Sequence, residues 1–182
     1  MTGVGEIRLR RATRDDVSFL LDVLTDEDVQ PFLGRGGAFD EDGVLAELDR
    51  QDEEPDAFGR FVIEVLEEGG WRAAGTLGFE RVNRRSRIAQ LERLAVHPAF
   101  RGRRLADDAA RLFQRHLIFD LGFHRVQLEI YGFNERAQRH AERAGFVREG
   151  VKRKAYRRGD GWVDGVVYGL VREDLEGELS GP

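Results

Sequence analysis

The chain has 182 residues, 41% hydrophobic and 35% charged, which predicts a single globular domain with a buried core. The net charge of −5 disfavours nucleic acid as a partner, and the absence of cysteine excludes thiol nucleophiles, iron–sulfur clusters and cysteine-bound zinc. The N-terminus lacks the pattern of a secretory signal, and no apolar run approaches the roughly 20 residues of a membrane span. We therefore expect a cytoplasmic protein with no membrane partner.

Several common kinds of catalytic and nucleotide site are missing from the sequence. The four histidines show no spacing typical of metal ligands, and none of the three serines lies in a G-x-S-x-G turn. The usual glycine-rich nucleotide loops are absent as well. The sequence therefore predicts no metal site, and a phosphorylated ligand must bind by other means.

The first part of the chain predicts one strand followed by two helices. Residues 7–10 alternate between apolar and charged side chains, as a half-buried strand does. Thr13 offers a capping hydroxyl with an acid three positions later, so we expect a helix from there to about Leu24. Proline and glycines within 31–37 predict a loop, and an amphipathic helix is expected over 40–51.

From residue 60 onwards the hydrophobic period changes to that of strands. Apolar runs over 61–66 and 73–80 flank the pair Gly69-Gly70, which predicts a hairpin. A third strand is expected over 87–96. The remaining expected elements are a helix over about 104–121, a strand over 125–131, a helix over 134–144, a strand from 146 and a last strand over 162–171.

This order of elements predicts an α/β (α+β) fold in which helices flank a mixed, mostly antiparallel sheet. No repeat or composition break divides the chain, so we expect one domain over 1–182. Its core is expected at about 7–175, with flexible ends at 1–5 and 176–182.

The stretch from Leu91 to Ala106 carries the clearest functional signal. It reads as a buried strand, a basic turn and the start of a helix, with Arg101, Arg103 and Arg104 around Gly102. The first N–H groups of a helix have no partner within the helix, and the helix dipole adds positive charge there. The stretch therefore predicts an anion site suited to a pyrophosphate.

With the strand, turn and helix in this order, the sequence resembles the GCN5-related N-acetyltransferase (GNAT) superfamily. The turn of that family reads Q/R-x-x-G-x-G/A; Arg101 and Ala106 match it, whereas Arg104 stands where the motif has glycine. Residues 128–137 and the later Ala-Gly-Phe at 144–146 resemble the second half of the family pattern. The segments 75–79 and 161–170 are similar to the subgroup that acetylates the N-termini of ribosomal proteins (RimJ/RimL-like) and to its many relatives that act on small molecules.

The resemblance implies acetyl-CoA as the acyl donor and assigns the residues that hold it. Two middle strands would splay apart, and the backbone of Leu94, Ala95 and Val96 would bind the pantetheine arm. Asn134 would hold the pantetheine or a bound water, with Ala137 beside it, and Arg139 would reach the nucleotide end. The pyrophosphate would lie on the N–H groups of Arg101, Gly102, Arg103, Arg104, Leu105 and Ala106.

Acetyl transfer to an amine needs a group that accepts the proton of the amine and a donor for the thiolate. Glu92 and Glu129 are the candidate bases, each on a strand beside the proposed splay; the alternative for either is a surface ion pair. The family tyrosine that protonates the thiolate is replaced by Ala141. Tyr131, Tyr156 and His140 remain as candidate donors, although His140 is expected to be an exposed helix residue.

The resemblance thus predicts an N-acetyltransferase of the acyltransferase class that transfers acetyl to a primary amine by direct attack. The acceptor, a protein N-terminus or a small amino compound, stays open, as does a homodimer. The alternative is a module that binds or senses acyl-CoA without efficient turnover, which Arg104 and Ala141 favour.

Overall fold

A computed structural model describes residues 6–33 and 39–179. Its strands are β1 (Ile7–Arg11), β2 (Phe58–Glu67), β3 (Gly70–Asn83), β4 (Ile88–Val96), β5 (Arg125–Tyr131), β6 (Val147–Arg158) and β7 (Gly161–Val171). Its helices are α1 (Val17–Leu24), α2 (Glu41–Glu53), α3 (Leu105–Arg115), α4 (Glu135–Arg143) and α5 (Arg172–Leu179). A π-helical turn, His116–Asp120, continues α3.

The seven strands form one sheet in the order β1-β2-β3-β4-β5-β7-β6. Every neighbouring pair is antiparallel except β4 and β5, which run parallel. The predicted hairpin is present, because Glu67 pairs with Gly70 across a two-residue turn. The predicted mixed, mostly antiparallel sheet is thereby confirmed.

Helices cover both faces of the sheet. Because successive side chains of a strand point to opposite faces, each strand contributes side chains to both layers of helices. Phe61, Ile63 and Phe79 belong to the larger core cluster, which also contains side chains of α3 and α4. Val62, on the other face of β2, packs with side chains of α1 and α2. We call these the α3–α4 face and the α1–α2 face of the sheet.

One expectation about an irregular segment needs correction, and those for the two ends of the chain stay predictions. Helix α5 continues past Glu176 to Leu179, and 180–182 lie outside the described residues, so the flexible end expected at 176–182 stays a prediction. Within the predicted loop over 31–37, Gln30–Phe32 forms one turn of 3₁₀ helix. The expectations for 1–5 and 34–38 concern residues that are not described. No helix in the described ranges has the length and apolar character needed to cross a membrane.

Candidate functional site

The central feature of the site is a wedge between the two parallel strands. In the described sheet, β4 and β5 pair with each other only over the three positions from Ile88 to Gln90. At the last pair the side-chain amide of Gln127 donates to that of Gln90 at 3.0 Å. Both strands then continue, to Val96 and Tyr131, and a cavity of about 780 Å³ opens between them. The predicted splay of the middle strands is therefore present.

A β-bulge lies where β4 leaves its partner strand. Gly78 of β3 pairs with Glu92, but Thr76 pairs with Ala95, so two residues of β4 face one residue of β3. Arg93, within the bulge, has a left-handed backbone with φ of 53°. A bulge of this kind bends its strand and redirects the side chains that follow. Leu94, Ala95 and Val96, the predicted pantetheine contacts, all line the cavity.

The basic turn joins the end of β4 to α3 and has a left-handed residue at Arg104, where the family motif has glycine. Arg104 is the N-cap of α3 and lies in the left-handed region, at φ 57° and ψ 14°. A side chain there costs roughly 1 kcal/mol relative to glycine. The turn is therefore formed despite Arg104, and Gly102, at φ 81°, supplies a second left-handed residue.

The side chains of the turn mostly point away from the cavity. Arg103 donates to Glu67 at 2.7 Å, and Leu105 is 1% exposed in a small apolar cluster. Of the six turn residues, only Arg101 and Ala106 line the cavity. Gly102, Arg103, Arg104 and Leu105 could therefore meet a ligand there chiefly through backbone N–H groups at the start of α3.

Arg101 connects the turn to a distant part of the chain. Its guanidinium donates to Asp26 at 2.5 Å and to Asp28 at 2.9 Å, and its Nε donates to the carbonyl of Val96 at 3.3 Å. Asp28, Val29, Phe32 and Leu33 line the cavity, so segment 26–33 forms its roof. The positive charge of Arg101 is thus already neutralised within the protein.

Helix α4 contributes the opposite wall of the cavity. Asn134 caps α4, accepting from the N–H of Ala137 at 3.1 Å, and both residues line the cavity as expected. Arg139 donates to Glu135 at 3.2 Å and does not line the cavity, and its contact with the nucleotide end stays a prediction. Arg136 lines the cavity instead.

His140 is not the exposed residue that the sequence predicted. Its side chain is 19% exposed and lines the cavity beside Ala141, and its Nδ1 lies 2.5 Å from a carboxylate oxygen of Asp107. Arg143 donates to the same carboxylate at 2.9 Å. Burial raises the pKa of Asp107, but the hydrogen bonds from Arg143 and His140 outweigh it and hold that pKa below its usual value. Only the helical spacing of Arg143 and His140 could have indicated this cluster.

The two candidate bases lie on the same face of the sheet, on either side of the wedge. Leu91 and Leu128 pack into the core of the α3–α4 face, and successive side chains alternate between faces. Glu92 and Glu129 therefore belong to the α1–α2 face, and both line the cavity. The two carboxylates thus lie beside one opening, and their role as bases stays a prediction.

Glu92 lies near a buried arginine. Arg60 of β2 is 1% exposed and donates to Glu47 of α2 at 3.0 Å. Arg60, Gly78 and Glu92 are paired in register across three strands, and a Cβ at Gly78 would fall 2.5 Å from the Arg60 guanidinium. Glycine thus leaves room for Arg60, which interacts electrostatically with Glu92. Burial lowers the pKa of Arg60.

Glu129 has a more adaptable environment. Its Oε2 accepts from the Nζ of Lys152 at 2.8 Å, and the Lys152 side chain is 57% exposed. Its Oε1 is buried and has no hydrogen-bond partner among the described residues. The rings of Tyr131 and Tyr156 meet edge to face at 5.3 Å beside it. Burial and then Glu129 itself raise the pKa of Tyr156, so its hydroxyl keeps its proton at neutral pH.

Aromatic and arginine contacts hold the roof over the end of the cavity nearest Glu129. Phe32 lies 5.9 Å from Phe133, which stacks on Tyr131 at 5.4 Å. The guanidinium of Arg158 lies 4.8 Å above the Phe133 ring and donates to the carbonyl of Pro31. The wedge is therefore closed above by parts of the chain that are remote in sequence. In the described ranges, no three His, Asp or Glu side chains are grouped to hold a metal ion.

A family model for the acetyltransferase (GNAT) domain matches residues 6–147, which is most of the chain. The chain belongs to the GNAT family. The splayed strands, the left-handed turn and the capped α4 are thus features of a GNAT domain in this protein.

Individual relatives of this GNAT domain are more distant. The SPbeta prophage-derived uncharacterized N-acetyltransferase YokL of Bacillus subtilis (strain 168) is 31% identical over 83 residues. That match covers 46% of this chain and 47% of YokL, so the chain spans about half of this curated relative.

Solved structures match over nearly the whole GNAT domain. The spermidine N-acetyltransferase of Vibrio cholerae in complex with CoA and spermine superposes with a TM-score of 0.81 at 19% identity, covering 93% of this chain and 98% of that one. A structure from T. thermophilus, whose acetyltransferase assignment is itself provisional, is 29% identical with a TM-score of 0.72, covering 96% and 90%. At 19% identity, the Vibrio cholerae match establishes the fold and not the acceptor.

Proposed function

We propose that this protein is an acetyl-CoA-dependent N-acetyltransferase that transfers acetyl to a primary amine by direct attack. The wedge between β4 and β5 carries the proposal, because it leads from the start of α3 to two carboxylates on one face of the sheet. A cavity of about 780 Å³ is in the usual range for a small-molecule site. The GNAT membership supports acetyl-CoA as the donor.

The residues present fit acetyl-CoA. The N–H groups from Gly102 to Ala106 would bind the pyrophosphate, and the unpaired edge of β4 at 94–96 would bind the pantetheine arm as a strand would. Asn134 and Ala137 would flank the pantetheine. When bound, acetyl-CoA supplies the thioester whose carbonyl carbon the amine attacks.

We assign proton transfer to Glu129 and the positioning of the acceptor to Glu92. The cation beside Glu129 is the exposed Lys152, which can move away, whereas Arg60 near Glu92 is buried and cannot. Tyr131 and Tyr156 both line the cavity beside Glu129 and are the candidate donors to the departing thiolate. The Glu129 carboxylate attracts an ammonium group by its charge, and the rings of Tyr131 and Tyr156 beside it add cation–π attraction.

The acceptor is a primary amine of a small compound or of a peptide N-terminus. The ribosomal-protein subgroup that the sequence resembles would favour a peptide. The roof over the Glu129 end and the Vibrio cholerae enzyme with spermine favour a small amine.

Two measurements on the whole chain test the proposal. CoA at about 100 times its Kd should stabilise the folded protein by about 2.7 kcal/mol, seen as a raised melting temperature. Acetyl-CoA with a panel of polyamines, amino sugars and short peptides should release thiol with at least one acceptor. A melting shift without turnover would identify the acyl-CoA-binding alternative, and no melting shift would exclude both functions.

A further inference from the structure

One amine of the protein itself lies beside the proposed base. Lys152 and Lys154 are the only lysines in the chain, among 29 basic residues. The Nζ of Lys152 is 2.8 Å from Oε2 of Glu129, which lines the cavity. Lys152 is on β6, the edge strand of the sheet, and its side chain is 57% exposed. A primary amine of the protein is therefore held within hydrogen-bond distance of a carboxylate that lines the cavity.

The backbone around Lys152 maintains this arrangement. Lys152 is paired in register with Gly165 of β7, and a Cβ at Gly165 would fall 2.4 Å from Oε1 of Glu129. The absence of that side chain lets the Glu129 carboxylate lie over β7. The next register pair joins Tyr156 to Val163, so β6 bulges directly after Lys152, with Lys154 at φ 50°. The bulge brings the Tyr156 ring to the same carboxylate.

We propose that Lys152 is a site of self-acetylation, in which the protein transfers acetyl from acetyl-CoA to its own Lys152 Nζ. Glu129 takes a proton from the ammonium, and the neutral Nζ attacks the thioester carbonyl carbon. The C–N bond forms, the C–S bond breaks, and CoA leaves as a thiolate that is then protonated. This inference rests on the proposed acetyltransferase activity.

Acetylation would change the site that performs it. An acetylated lysine carries no charge, so it no longer neutralises Glu129. The carboxylate would then be left to an external ammonium group. Self-acetylation would therefore convert Glu129 from an internally paired group into one that is available to an acceptor.

Mass spectrometry of the full-length protein tests the proposal. Incubation with acetyl-CoA and no added amine should add one acetyl group, which peptide mapping should place on Lys152. Because the transfer is intramolecular, the rate per molecule should not change with protein concentration. Lys154→Arg should behave as the unaltered protein, and Lys152→Arg should remain unmodified while retaining its ion pair and melting temperature. Glu129→Gln should slow the modification at least about tenfold.

Several results would overturn the proposal. Equal acetylation of Lys152 and Lys154, or an equal rate at Lys152 in urea-unfolded protein, would mean chemical acetylation only. If the same preparation binds CoA and acetylates an added amine while Lys152 stays unmodified, self-acetylation fails and the proposed function stands. If it neither binds CoA nor acetylates any amine, the proposed function fails, and self-acetylation with it.

Discussion

The two faces of the sheet build the cavity in different ways. On the α3–α4 face, the turn at 101–106 and the cap at 134–137 are formed by residues close together in sequence. On the α1–α2 face, the roof is held by contacts such as Arg101 with Asp26 and Arg158 with Pro31, which join residues 75 and 127 positions apart. The side that would hold a common cofactor is thus local, while the side that would choose the acceptor is assembled from distant segments.

The largest expected effect distinguishes the roles of Glu129 and Glu92, the two carboxylates on the α1–α2 face. Glu129→Gln should lower kcat by about 10²-fold or more, because the amide cannot accept the proton of the amine. Glu92→Gln is the matched control on the opposite side of the wedge and should mainly raise the KM of the amine. CoA affinity, measured by calorimetry, should stay nearly unchanged in both. A larger fall in kcat for Glu92→Gln would reverse the two roles.

Asp107, His140 and Arg143 form a long-range cluster on the α3–α4 face, and removing the charge of Asp107 tests how much this cluster contributes to stability. Asp107→Asn keeps the shape of the side chain but weakens the hydrogen bonds from His140 and Arg143. Hydrogen bonds to charged groups contribute about 1.5–3 kcal/mol, so the free energy of unfolding at neutral pH should fall by about 2 kcal/mol. Denaturant titrations should show this as a lower midpoint.

The pH dependence of that loss follows from the lowered pKa of Asp107. A carboxyl whose pKa is lower in the folded state stabilises the fold above its ordinary value of about 3.9, and the contribution disappears as the pH falls through the folded value. The unaltered protein and Asp107→Asn should therefore converge in stability at acid pH. Asp108→Asn removes the same charge one residue along α3, and an equal loss there would contradict a role for the cluster.

The smallest effect concerns the strained turn on the α3–α4 face. Arg104→Gly removes the side chain at φ 57° and should raise the free energy of unfolding by less than about 1 kcal/mol, because the relief of strain is partly offset by the entropy of glycine when unfolded. Arg104→Ala keeps the Cβ and removes the charge, so its stability should not rise. If Arg104→Gly and Arg104→Ala weaken CoA binding equally, the charge of Arg104 acts on the cofactor. If the two variants have equal free energies of unfolding, backbone strain at Arg104 is not the cause of any change in stability.

How much the sequence could predict differs between the same two faces. The strand, turn and helix at 91–106 are predicted by local signals, their periodicity and turn residues, whereas the two carboxylates were candidates because of the resemblance to the family. The Asp107–His140 contact was missed because it joins two helices whose packing no local pattern specifies. The same reason applies to the roof at 26–33 and to Lys152, whose partners come from other strands and turns.

Arg101 links the binding energies of the two ends of the cavity. Its guanidinium ties the turn before α3 to Asp26 and Asp28, so the two ends share one side chain. A ligand that alters this contact at one end changes the free energy of binding at the other, and the coupling factor must be the same in both directions. The degree to which each of two substrates strengthens or weakens the binding of the other would then depend on the contacts of a single arginine.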